Sequence, residues 1–264
     1  MSEAARGGGA SSGSWRMPAE WERHNCTWLG WPQRPDELEQ PASKAHAAVA
    51  AAVAEFEPVF ICATDKQAAG VQEIRERTVM EAGAISVDGQ GTLLTTEERL
   101  RNPERAPHLS RRQYERLFRR RPGVQARLRQ DGGYKRSLAA LRVLEQERDA
   151  HGRPLRVIKL PVPDPPLHYT AEEAEGATES HGSRGEEGNL IVASYINFHL
   201  VNEGVVVPLY GRKHSDKQAV RILQQSFPGR RVVGVQARSI ALGGGSIHCI
   251  TLPQPAGPGK AGAA

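Results

Sequence analysis

"LIVASYINFHLVNEGVVVPLYGRKHSDKQAVRILQQSFPGRRVVGVQA", residues 190–237, decides the fold. It opens with an apolar β-type run, turns at "NEG" (202–204) and returns through a second run, "VVVPLYG". Such runs about a turn predict two strands joined as a hairpin. "SDKQAVRILQQSFPG" (215–229) then predicts a capped helix, and "RRVVGVQA" (230–237) a further strand. The unit is therefore strand, turn, strand, helix, strand. A partial copy surrounds residues 84–110. There "MEAGAISVDGQGTLLTTEERL" (80–100) predicts two strands about "DGQG" and a helix begun by Thr95 or Thr96. Units that recur imply a repeat architecture. A doubly wound sheet is the alternative, but no glycine-rich phosphate loop opens a helix after an early strand.

The last strand of the series is "SIHCITL" (246–252), and three glycines, Gly243, Gly244 and Gly245, stand before it. Glycine loses more backbone freedom on folding than any other residue, so a triplet needs a reason. The ordinary reading is a tight turn between strands, followed by a small buried cysteine. The alternative is that something must approach the backbone closely, or that φ must be positive. Neighbouring residues on a strand point to opposite faces, so His248 should face away from the side that Cys249 presents and act as a packed structural histidine.

Other segments complete the outline. "MPAEWERHNCTWLGWP" (17–32) gathers Trp21, Trp28 and Trp31, which predicts a core anchor. "SKAHAAVAAAVAEF" (43–56) predicts a helix capped by Ser43, running into the strand "PVFICAT" (58–64). "GGYKRSLAALRVLEQERDAHGRPLRVIKLP" (132–161) predicts a helix, a turn at "HGRP" and a strand.

The chain has 264 residues, 39% of them hydrophobic, and no apolar run long enough to cross a bilayer. Three cysteines (Cys26, Cys62, Cys249) without CxxC spacing offer neither a zinc site nor a disulfide framework. They fit a reducing, cytoplasmic compartment. Residues 1–16 read as a disordered leader, 17–255 as a single domain and 256–264 as a disordered tail. Between Arg99 and Arg136, twelve arginines and one lysine face only Glu104, Glu115 and Asp131. That stretch could be a nucleic-acid footprint, but no nucleic-acid motif surrounds it, and a solvated helix face is the better reading.

Four stretches together resemble the agmatine deiminases, relatives of the bacterial-type peptidylarginine deiminases: "MPAEWERHNCTWLGWP", "GTLLTTEERLRNPERAPHLS", "ASYINFHLVNEGVVVP" and "IALGGGSIHCIT". The resemblance implies the pentein fold, an α/β propeller of five ββαβ units around a central channel. It implies hydrolysis of agmatine to N-carbamoylputrescine and ammonia, a step toward putrescine, without metal or organic cofactor. It places the nucleophile on Cys249 and a guanidinium-binding carboxylate on Glu81, where the family writes Glu-Gly-Gly and this chain has Ala82 in the middle. The chemistry is consistent. A resonance-stabilised guanidinium yields more readily in two covalent steps, a thiolate is the reactive sulfur species, and carboxylates grip guanidinium by paired hydrogen bonds. Gly243, Gly244 and Gly245 would let the main chain approach this flat substrate.

Two family motifs have no counterpart. The Trp-x-Arg-Asp-x-Gly-Pro stretch belongs near residues 63–80, and the Gly-His-x-Asp motif that carries the base belongs near 119–133. The one His-x-Asp, His214 to Asp216, falls where the family has surface residues, and Asp216 is expected as an N-cap or first-turn charge. The domain is thus expected to be internally shortened at both places, its propeller incomplete and its turnover impaired. The alternative is a non-catalytic remnant that binds a full-length homologue. Homo-oligomers are compatible with either.

Overall fold

A computed structural model describes residues 18–32, 39–63, 85–87, 92–96, 125–129, 141, 144–146, 148, 151–175 and 186–257. Its strands are β1 (His24–Gly30), β2 (Val59–Cys62), β3 (Ile85–Val87), β4 (Thr92–Thr96), β5 (Gln125–Arg129), β6 (His199–Val201), β7 (Gly204–Leu209), β8 (Arg231–Gln236) and β9 (Thr251–Pro255). Its helices are α1 (Glu39–Ala54), α2 (Ala171–Glu175), α3 (Lys213–Ser226) and α4 (Arg238–Ala241), with a 3₁₀ turn at His248–Ile250.

The strands form three sheets of the same plan. In one, β6 pairs antiparallel with β7, and β7 pairs parallel with β8 after the crossover through α3. In another, β3 pairs antiparallel with β4, and β4 parallel with β5. The third is the same unit divided between the two ends of the chain: β9 pairs antiparallel with β1, and β1 parallel with β2 after α1. The repeat expected from residues 190–237 is therefore present, and it closes on itself. This is a mixed α/β fold of pentein type, whose last strand completes its first sheet.

Burial explains the arrangement. β7 is nearly continuous apolar sequence, and Gly204–Pro208 are all buried, as befits a strand covered on both faces. One cover is α3 of its own unit; the other is α1 of the next, which also packs on α4. The core runs from Leu29 through Val49 and Val53 to Val206, Ile240 and Ile247. β6 and β7 join through Asn202 and Glu203, with φ of +61° at Glu203.

Several local expectations are corrected. Ser43 does not cap α1; the helix begins at Glu39, and Pro41 sits in its first turn, where a missing N–H costs nothing. Thr95 and Thr96 end β4, and the helix expected after them lies outside the described residues. "RVIKL" (156–160) forms no strand, for the prolines around it remove ladder donors and no strand lies alongside. Only residues 199–201 of the long run before "NEG" are strand. The 3₁₀ turn replaces the first part of the expected last strand, so Cys249 is exposed rather than buried. Trp21 is 53% exposed and stands outside the core, whereas Trp31 packs against it.

Candidate active site

The site is built where α4 stops. Leu242 and Gly243 still donate to the α4 carbonyls of Arg238 and Ile240, and Gly244 donates to Ala241 O. Gly244 then takes φ +79°, the left-handed geometry that ends a helix and that side chains resist. Gly245 serves differently. A Cβ there would lie 3.1 Å from Cys249 Cβ and 3.4 Å from its Sγ, so a side chain would crowd that side of the thiol. Gly243 is an exposed member of the same turn. The triplet thus joins a helix to a 3₁₀ turn rather than two strands.

Cys249 sits in the middle of that turn. Its N–H donates to Ser246 O at 3.0 Å and lies 3.3 Å from Asn197 Oδ1. Asn197 Nδ2 donates to the sulfur at 3.1 Å, and Asn197 O accepts from His248 N at 3.2 Å. One asparagine therefore holds both the main chain and the thiol of the cysteine. Nothing in the local sequence marks Asn197, because 52 positions separate it from Cys249.

The N–H of Asn197 donates to Ser194 O at 3.2 Å, and two tyrosines hold the loop that carries both. Tyr195 donates to Asp216 Oδ1 at 2.7 Å, and Tyr210 N donates to the same oxygen at 3.0 Å. The Tyr210 hydroxyl lies 3.1 Å from both Ser194 O and Ser246 Oγ. Burial, then the Asp216 carboxylate, pushes the Tyr195 phenol far above its ordinary range; burial raises Tyr210 as well. Asp216 lies in the first turn of α3, as expected, but it is buried and supports the loop that carries Asn197.

His248 points to the amino-terminal segment. Its Nε2 lies 3.1 Å from Glu20 Oε2. Each shifts the other: the hydrogen bond with Glu20 raises His248, and the same bond lowers Glu20. The hydrogen-bonded structural role expected for His248 is what this contact provides, although the alternation of strand faces does not apply inside a 3₁₀ turn. Behind this pair lies a buried polar cluster. His24 Nδ1 and the Thr27 hydroxyl contact Glu57 Oε1 at 3.1 and 2.5 Å, and Asn202 N donates to Glu57 Oε2 at 2.7 Å. His199 Nε2 lies 2.9 Å from Thr27 Oγ1. Burial first of all drives His199 down to about 3, which leaves it a neutral donor.

Glu81 and both regions expected to be shortened lie outside the described residues, apart from Ala63 and the backbone of Gln125–Arg129. Among the described residues, no group of three or more His, Cys, Asp or Glu side chains could hold a metal ion.

Repeated three-stranded α/β units, with a cysteine presented after a glycine turn at the carboxyl end, define a pentein-type protein. The model of the Porphyromonas-type peptidyl-arginine deiminase family matches residues 16–75, 66–136 and 124–255, and the chain belongs to that family. It is 35% identical to the agmatine deiminase of Pseudomonas aeruginosa (strain LESB58), over 93% of this chain and 96% of that one. It is 34% identical to the agmatine deiminase of Ectopseudomonas mendocina (strain ymp), over 92% and 96%. The solved agmatine deiminase of Enterococcus faecalis superposes with a TM-score of 0.77 at 23% identity, over 92% of this chain and 96% of that chain, which agrees in fold.

Proposed function

We propose that this chain hydrolyses agmatine to N-carbamoylputrescine and ammonia in the cytoplasm, as a step in putrescine formation. The observation that carries the reading is the clamp of Asn197 on an exposed Cys249, opened by Gly245. The sulfur attacks the guanidinium carbon, and a C–N bond breaks as ammonia leaves with a proton. Water then attacks the same carbon, the C–S bond breaks, and the thiol is restored. The reaction consumes one water and no cofactor. Glu81 is the proposed carboxylate for the guanidinium, and the backbone at Gly243–Gly245 forms one wall against it. The agmatine deiminases to which the chain is similar support the choice of substrate.

Turnover is proposed to be slow. The sequence has no Gly-His-x-Asp, and general acid–base help is worth about 10²–10⁴-fold. Two observations support internal shortening. The family match divides at residues 66–75 and 124–136, and the alignment with the P. aeruginosa enzyme runs over 358 positions, more than the chain contains. The experiment is release of ammonia and N-carbamoylputrescine from agmatine, beside Cys249→Ser. Product that disappears in the variant supports the reading, and its absence from the folded native chain defeats it.

A second reading, a partner of a full-length homologue, is favoured by one feature. Leu252, Trp28 and Phe60 form a row across β9, β1 and β2, with Leu252 and Phe60 about half exposed. An apolar row of this kind is usual at interfaces. Co-purification with a longer homologue, lost in Phe60→Lys, tests it.

A further inference from the structure

Glu20 and His248 stand 228 positions apart, yet they meet beside the turn that carries Cys249. Both side chains are about one-third exposed, and neither belongs to the Asn197 clamp. Glu20 is fixed from behind, since its carbonyl accepts from His24 Nε2 at 2.8 Å while His24 Nδ1 contacts the buried Glu57. The amino-terminal turn, closed by Glu22 N to Ala19 O, is thereby tied to β1. His248 is fixed in front, where its N–H donates to Asn197 O and its carbonyl lies 3.3 Å from Thr251 Oγ1. The contact therefore bridges a rigid strap and the one turn that sets the direction of the thiol.

From this geometry we infer that the Glu20–His248 ion pair is a positioning latch for Cys249, which holds the thiol against Asn197 while Glu20 is ionised and His248 is protonated. The inference rests on the reading of Cys249 as the nucleophile. The titratable groups that face the pair are His24 and His199, and His24 is in turn satisfied by the buried Glu57 behind it. His248 is raised and Glu20 lowered by their mutual contact. The latch is then closed around neutral pH, opens as pH rises through the His248 value, and opens again as pH falls through that of Glu20.

The test is site-resolved alkylation of the intact chain by iodoacetamide, read by mass spectrometry across pH for the native chain, Glu20→Gln and His248→Gln. Exposed Cys62 in the same molecule serves as the reference, and buried Cys26 as the check on folding. We expect the Cys249 rate relative to Cys62 to be lower in both variants by about three- to tenfold near pH 6, the range for a partly exposed charge-assisted pair. The difference should shrink toward unity at about pH 9, where the imidazolium is gone. Combining the two substitutions should cost no more than either alone. Equal rates in folded variants, or a loss that does not vary with pH, overturn the latch. Failure of the native chain to turn over agmatine, by contrast, defeats the deiminase reading and leaves the alkylation ratio intact.

Discussion

At the scale of the residue, the site depends on what touches one sulfur atom. Asn197 donates to Cys249 Sγ and also lies against its N–H. Replacing Asn197 with Ala should lower kcat for agmatine by about 10²-fold, the usual effect of removing one positioned donor, with a smaller change in KM. Steady-state kinetics with matched circular dichroism checks this. Gly245→Ala would bring a methyl carbon 3.1 Å from Cys249 Cβ. It should slow alkylation of Cys249 while leaving Cys62 unchanged, because the obstruction is local.

At the scale of the element, β7 is the strand on which the carboxyl-terminal unit depends. Gly204 opens it, and a Cβ there would fall 2.5 Å from the Phe56 ring, far inside contact. That ring also lies 4.6 Å below the Arg231 guanidinium, so it is not free to withdraw. Gly204→Ala should destabilise the chain by about 1–3 kcal/mol, the ordinary effect of overpacking, seen as a lower denaturant midpoint. Gly234 lies on neighbouring β8, where a Cβ would meet Leu209 at 2.6 Å. Both glycines permit close packing rather than unusual dihedrals, which distinguishes them from Gly244.

At the scale of the whole molecule, two features govern stability. The first is closure: β9 pairs with β1, so the two ends of the chain share a sheet. Removing residues 251–264 should expose the edge of β1 and abolish cooperative unfolding, as followed by circular dichroism during denaturation. The second is the buried cluster around Glu57 and His199. His199 has its value lowered from 6.5 to about 3, chiefly by burial, so the unfolded chain takes up a proton there before the folded chain does. Its contribution is complete above 6.5 and is lost progressively as pH falls toward 3. Burial alone would raise Glu57, but hydrogen bonds from His24, Thr27 and Asn202 outweigh it and hold the carboxyl below 4.5. That contribution is present above its unfolded value and is also lost on the acid side. Thermal midpoints should therefore fall steadily below about pH 6.5, and His199→Gln should flatten the upper part of that decline.

The repeat was legible in residues 190–237 because its signals are local. Apolar runs, a turn and an amphipathic helix depend on neighbours within a few positions, and the strands at 204–209 and 231–236 formed as read. Cys249 was marked as a candidate nucleophile by the resemblance, whereas the three glycines alone read as a turn before a small buried cysteine. What could not be read there was conformation: the same residues that suit a strand form a 3₁₀ turn, because Asn197 supplies the partner for the main chain that a neighbouring strand would otherwise have supplied. Nothing local marks Glu20, and Asp216 reads only as an N-cap or first-turn charge; folding brings the first to His248 and buries the second against Tyr195 and Tyr210. Sequence alone determined the hairpin, helix and strand of the carboxyl-terminal repeat, for those preferences are short-ranged. Tertiary structure decided which of them meet around the thiol, because contacts across 52 or 228 positions are fixed by how the sheets close and not by any local preference.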